Sequence, residues 1–182
     1  MIINVKQLLD FKSGHGDIAD LAIMSSICSL FELRPTEVTK GFYPGYDFVI
    51  ENTKIELKTS SKGLDGLIEI ARADGRASGL SVTEADVYAF LNPAGNGKAK
   101  LRLIHTFELK RYIEKYSGDD VIETKTVGDR IGSILVPFNF KDFNDLFIAE
   151  CNCNFTADGL EFDTCTFEAN NFSRLKIRDY IK

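Results

Sequence analysis

Asp47, Glu56 and Lys58 are the residues whose types and spacing suit chemistry: two carboxylates and an ammonium in one stretch, YDFVIENTKIELKTS, over residues 46–60. Carboxylates are hard oxygen ligands. Magnesium keeps several of its waters and takes only one or two protein carboxylates, with substrate phosphate oxygens completing its shell. The backbone carbonyl of Leu57, between Glu56 and Lys58, is a candidate further metal ligand. Beside such a metal, Lys58 would orient or help deprotonate an attacking water, or stabilise charge developing on phosphorus. The chemistry implied is hydrolysis of a phosphodiester with Mg2+, for which Mn2+ is the expected substitute.

Local structure must bring these groups together. The stretch reads as two short strands rich in β-branched and aromatic residues, with Asn52-Thr53 as a two-residue turn. That turn sets Val49 opposite Glu56 and Asp47 opposite Lys58. Side chains alternate along a strand and cross-strand partners share a face, so Asp47, Glu56 and Lys58 converge on one side while Phe48, Ile50, Ile55 and Leu57 go to the other. One face is apolar core. The other is a charged face that costs stability unless solvated, paired or bound to a metal.

Asp47 followed by the Glu56-Leu57-Lys58 triplet resembles the PD-(D/E)XK nuclease superfamily, which includes restriction enzymes, junction resolvases and phage nucleases. The proline of the Pro-Asp element is displaced here, the chain reading Pro44-Gly45-Tyr46-Asp47. Thr83-Glu84-Ala85-Asp86 and the aromatic-rich strand after it extend the likeness to residues 17–92. The resemblance implies an α/β (α+β) fold with a restriction-endonuclease-like core, a mixed β-sheet flanked by helices. It implies an Mg-dependent endonuclease acting on DNA, RNA not being excluded. It also implies that a helix ahead of the hairpin contributes a further acid to the site. Asp20 is the candidate, with Asp17 and Glu32 as alternatives. The competing reading is a catalytically inactive module of the same fold that binds nucleic acid or protein.

That helix is expected over residues 17–33, apolar almost all round and with Asp17 as N-cap, after a shorter one over residues 4–12. After the triplet, residues 64–79 read as a weak helix flanked by glycines, suited to a segment that moves over substrate. Lys62, Arg72 and Arg76 in this region are the candidate nucleic-acid phosphate contacts. A strand over residues 87–91, a turn over 92–97 and a strand over 101–105 ending in His105 form a second hairpin. Thr106 then caps a helix over 107–116 that covers the sheet. Downstream the pattern gives strands near 121–127 and 133–137, a helix over 141–149, a hairpin turning at Asp158-Gly159, and a basic helix over 172–182.

A chain of 182 residues with 44% hydrophobic residues suits one compact domain. Residues 1–182 are read as a single nuclease-like unit, with 17–106 the catalytic core and 107–182 a C-terminal elaboration. The net charge of -5 argues against a nonspecific nucleic-acid coat, which needs a basic footprint, but not against a nuclease whose metal adds positive charge. No apolar run is long enough to span a bilayer and the start lacks a signal-peptide core, so a cytoplasmic protein with no membrane partner is expected. Symmetric cutting of two strands would suit a homodimer. Cys28 reads as a core hydrophobe, and Cys151, Cys153 and Cys165 as reduced thiols in preference to a zinc site that lacks a fourth ligand.

Overall fold

A computed structural model of the chain describes residues 16–31, 35–38, 45–59, 65–115, 121–123, 131–156 and 159–167. The expected helices over 4–12 and 172–182 lie outside these residues. The fold is α+β and mostly sheet. Helix α1 is Gly16–Phe31 and α2 is Thr106–Lys115. The strands are β1 (Pro35–Val38), β2 (Phe48–Ile50), β3 (Thr53–Thr59), β4 (Asp65–Arg72), β5 (Val87–Gly95), β6 (Lys98–His105), β7 (Ile122–Glu123), β8 (Ser133–Asn139), β9 (Phe147–Thr156) and β10 (Gly159–Phe167). Seven of them form a mixed sheet in the order β1-β2-β3-β5-β6-β9-β10, and three form a second sheet in the order β4-β8-β7. Within the larger sheet β3 and β5 run parallel, whereas the other neighbours are antiparallel. Strands from the C-terminal part of the chain complete both sheets.

Alternation along the strands separates two cores. Val87, Ala89 and Leu91 of β5 and Leu101 and Leu103 of β6 join Phe48, Ile50, Ile55 and Leu57 of the hairpin on one face. Helix α1 closes that face with Ile23, Met24, Ile27 and Cys28. Tyr88 and Phe90 point to the other face and join residues from the small sheet and α2. That second core is aromatic, with Phe138 edge-on to Phe140 at 4.9 Å, to Phe143 at 5.3 Å and to Phe90 at 5.3 Å. Quadrupoles favour such edge-to-face contacts over flat stacking.

Several elements differ from the sequence expectation. Residues 65–72 form β4 instead of a weak helix, because the segment pairs with β8, and Gly66 accepts the Phe138 ring where a Cβ would come within 1.9 Å of it. Residues 140–143 form a 3-10 turn and β9 begins at Phe147, replacing the helix expected over 141–149. The second hairpin turns at Asn96-Gly97, where φ is 50° and 74°, so β5 runs on through Pro93 to Gly95. Thr106 opens α2, yet its buried hydroxyl has no partner and does not cap the helix. Cys151 and Cys165 pair directly across β9 and β10 as a disulfide, a correction to the reading of both as reduced thiols. Burial pushes the Cys153 thiol up to about 12, against a hydrogen bond from the Leu101 backbone that lowers it.

Candidate functional site

The β2–β3 hairpin turns at Glu51-Asn52, one residue earlier than expected, with φ of 46° and 79° at the two positions. Both residues are left-handed, the geometry whose twist matches that of the flanking strands. Phe48 therefore pairs with Ile55 and Val49 with Lys54. Moving the turn by one residue moves every cross-strand partner by two. An even shift leaves each side chain on its original face. Glu56 and Lys58 accordingly stay on the face opposite α1, although their expected partners Val49 and Asp47 do not lie across from them.

Asp47 sits where the β2 pairing ends. Its N–H donates to the Ile55 carbonyl at 2.9 Å, and its carboxylate Oδ2 accepts the Leu57 N–H at 2.6 Å. The carboxylate thus occupies the place a strand carbonyl would take and lies beside the Glu56-Leu57-Lys58 backbone. Leu57 is tied to the site through its N–H, and its side chain lies in the α1-side core. Lys58 Nζ pairs with Glu56 Oε1, with the Glu56 side chain only 12% exposed against 39% for Lys58. The lysine is the solvent side of the site and the carboxylate its floor.

Across the parallel ladder, Glu56 faces Tyr88 and Lys58 faces Phe90. The Tyr88 phenol is pushed well above its ordinary ionisation range, first by burial and then by the charges of Glu56, Asp47 and Glu69, against a hydrogen bond with Thr83 that lowers it. It remains a neutral hydroxyl beside the carboxylates. Glu69 of β4 adds a smaller charge effect on the same phenol. Sequence reasoning passed over Glu69 and Tyr88. The parity of Tyr88 with Phe90 was readable, but the β3–β5 pairing that brings it to Glu56 joins residues far apart in sequence.

Residues 79–86 clamp the hairpin from outside. Gly79 (φ +54°) passes so close to Glu69 that a Cβ would lie 2.2 Å from the Glu69 carbonyl oxygen. The Thr83 hydroxyl donates to the Gly45 carbonyl at 3.0 Å and accepts the Ala85 N–H at 3.1 Å, and the Glu84 N–H also donates to Gly45. Asp86 accepts the Lys54 N–H at 2.8 Å and returns its own N–H to the Lys54 carbonyl. These bonds fix the backbone at Gly45, ahead of Asp47, and at Lys54, ahead of Glu56.

The remaining predicted site residues are not gathered in the same way. Asp17 and Asp20 lie on α1, but their side chains are outside the described residues, as are Glu32 and Lys62. The buried face of α1 rests on the apolar side of β2 and β3, across the sheet from Glu56 and Lys58. Arg76 is tied to Asp74 within its own turn, Nη2 to Oδ2 at 2.6 Å, and Arg72 adds its charge beside the same carboxylate. His105 pairs with Val87 on the α1 side, stacked on Phe107 at 5.3 Å, and so stands across the sheet from Glu56.

Among the described residues no group of three or more His, Cys, Asp and Glu side chains is placed to hold a metal ion. The Asp47 and Glu56 pair has the two carboxylates that suffice for magnesium when substrate oxygens complete the shell. No helix among the described residues is long and apolar enough to cross a membrane. Compared with protein-family models, curated proteins and solved structures, the chain gives no match.

Proposed function

We propose that the chain is a metal-dependent endonuclease of the PD-(D/E)XK type, with a restriction-endonuclease-like core, that hydrolyses phosphodiester bonds in DNA. The observation carrying this reading is the Asp47 carboxylate, locked onto the Leu57 N–H beside the Glu56–Lys58 pair on one face of a mixed sheet. A helix ahead of the hairpin and an Asp and Glu-x-Lys on neighbouring strands are what the resemblance implies. Asp47 and Glu56 would hold Mg2+ or Mn2+. Bound there, the ion would supply Lewis acidity and a more acidic water.

The chain's own groups have distinct roles. Lys58, exposed beside a buried carboxylate, orients the nucleophile and offsets charge on the phosphate. Tyr88, kept protonated by burial and by the surrounding carboxylates, is a neutral hydroxyl beside Glu56. The further acid that the resemblance implies is Asp20 or Asp17, and Glu69 adds only a negative charge near Tyr88. A second reading, an inactive nucleic-acid- or protein-binding module, is favoured by the closure of Lys58 onto Glu56, which satisfies both charges without a ligand. A cytoplasmic homodimer cutting both strands belongs to the first reading.

Incubation with supercoiled, linear, single-stranded and branched DNA, and with RNA, in magnesium, manganese or chelator separates the two. The nuclease reading expects cleavage that needs metal and is lost in Lys58→Ala. Metal-independent cleavage, cleavage retained in Lys58→Ala, or no cleavage at all would remove it.

A further inference from the structure

Two lysine and carboxylate groups share the face of the large sheet opposite α1, and they are built differently. Glu150 of β9 accepts Lys100 Nζ at 2.8 Å and Arg102 Nε at 2.7 Å, so two cations from β6 hold one carboxylate whose side chain is 30% exposed. Those hydrogen bonds and charges outweigh burial and keep the Glu150 carboxyl below its ordinary range. If one cation is lost, the other remains.

Glu56 is placed more deeply, its side chain 12% exposed, and Lys58 Nζ lies on its Oε1. The two residues stand two apart on β3, so their side chains leave the same face of one strand. A carboxylate so far from water is costly without a cation beside it, and the ammonium does there what a metal ion would do. Lys58 is 39% exposed, and its flexible four-carbon stem can carry the charge outward.

Two cations drawn to one carboxylate repel each other. For the Asp47 and Glu56 pair to hold a divalent ion, the Lys58 ammonium must therefore give up Glu56, and it then needs another anion. A phosphodiester meets that need: it accepts a charge-assisted hydrogen bond from Lys58, and its other oxygens can complete the shell of a metal held by two carboxylates. We propose that Lys58 is a built-in competitor for the metal at Glu56, so that the site binds its divalent cation tightly only together with a phosphodiester. This rests on the nuclease reading for the metal and the substrate, and adds to it a regulation of the same site. Such coupling is reciprocal, each ligand raising the affinity of the other by the same factor, and Lys58 carries it.

The test reads metal binding and no cleavage, so its failure is distinct from that of the nuclease reading. Mn2+ is titrated by calorimetry into the wild type, Lys58→Met and Lys100→Met, first alone and then with dimethyl phosphate, the simplest phosphodiester. Lys58→Met keeps an unbranched stem and removes the charge. Lys100→Met removes one positive charge from the same face away from Glu56, and Arg102 still holds Glu150. Mn2+ alone should bind Lys58→Met about tenfold or more tighter than the wild type, within the range of ordinary couplings between sites. Its affinity for Lys100→Met should match the wild type, since salt screens a charge at that remove. Dimethyl phosphate should tighten Mn2+ binding to the wild type by a larger factor than to Lys58→Met. Mn2+ binding to Lys58→Met no tighter than to the wild type, or an equal gain in Lys100→Met, overturns the competition and leaves the nuclease reading in place. The same tightening by dimethyl phosphate in the wild type and Lys58→Met overturns the coupling through Lys58. No Mn2+ binding by any of the three proteins overturns the competition and the reading together.

Discussion

The two faces of the seven-stranded sheet are built by the same residues in alternation, and they differ in what holds them. On the α1 side, Leu57 and its neighbours form a closed apolar core that stabilises the fold by removal from water. On the opposite side, adjacent Glu56 and Lys58 are held by one another, by the Asp47 clamp and by residues 79–86. The contrast teaches that this hairpin is stabilised on one face and organised on the other. Substitutions at consecutive positions should therefore separate folding from function.

The sharpest test pairs Leu57→Ala with Lys58→Ala. Leu57→Ala should cost about 2–5 kcal/mol by leaving a cavity in a closed core, read by urea denaturation. Lys58→Ala should change stability by less than about 1 kcal/mol, because the pair is partly solvated, while cleavage falls by about 10²-fold or more. Equal losses of stability would erase the distinction between the faces. Next in size, Thr83→Val should cost about 1–3 kcal/mol by leaving the Ala85 N–H without its acceptor. Because the Gly45 carbonyl also loses a donor, cleavage should drop further than stability explains, and a loss confined to stability would detach the clamp from the site. Gly79→Ala should cost about 1 kcal/mol or more, through its positive φ and the approach to Glu69.

The smallest effect is a pH dependence on the charged face. Glu150 has its carboxyl held below the ordinary value, so it contributes stability that is present above that value and is lost as pH falls through the lowered one. Acid denaturation of the wild type should be steeper in this range than that of Glu150→Gln. Parallel acid profiles would show that the Lys100 and Arg102 pairing contributes nothing.

What the sequence disclosed follows the same division. Period-two alternation placed Phe48, Ile50, Ile55 and Leu57 on one face and Glu56 and Lys58 on the other, and the mistaken turn did not disturb this because the register error was even. The turn itself was missed because Glu51 adopts a positive φ that its side chain gives no reason to expect. The helix expected over 141–149 overruns the start of β9, where Phe147, Ile148 and Ala149 are all buried. A strand covered on both faces has no alternation to display. The approach of Tyr88 to Glu56 depends on the β3–β5 pairing between segments far apart in sequence, and local pattern carries no trace of it.

The most direct test of the central claim, that Asp47 and Glu56 hold a divalent cation, is the melting temperature with and without manganese for the wild type, Asp47→Asn and Glu56→Gln. At metal about a hundredfold above its Kd, binding adds about 2.7 kcal/mol to the native state. That corresponds to a rise of about 5–10 °C in a chain of this size. The account requires that rise in the wild type and its loss in both variants. No rise in the wild type, or the same rise in all three proteins, would contradict it.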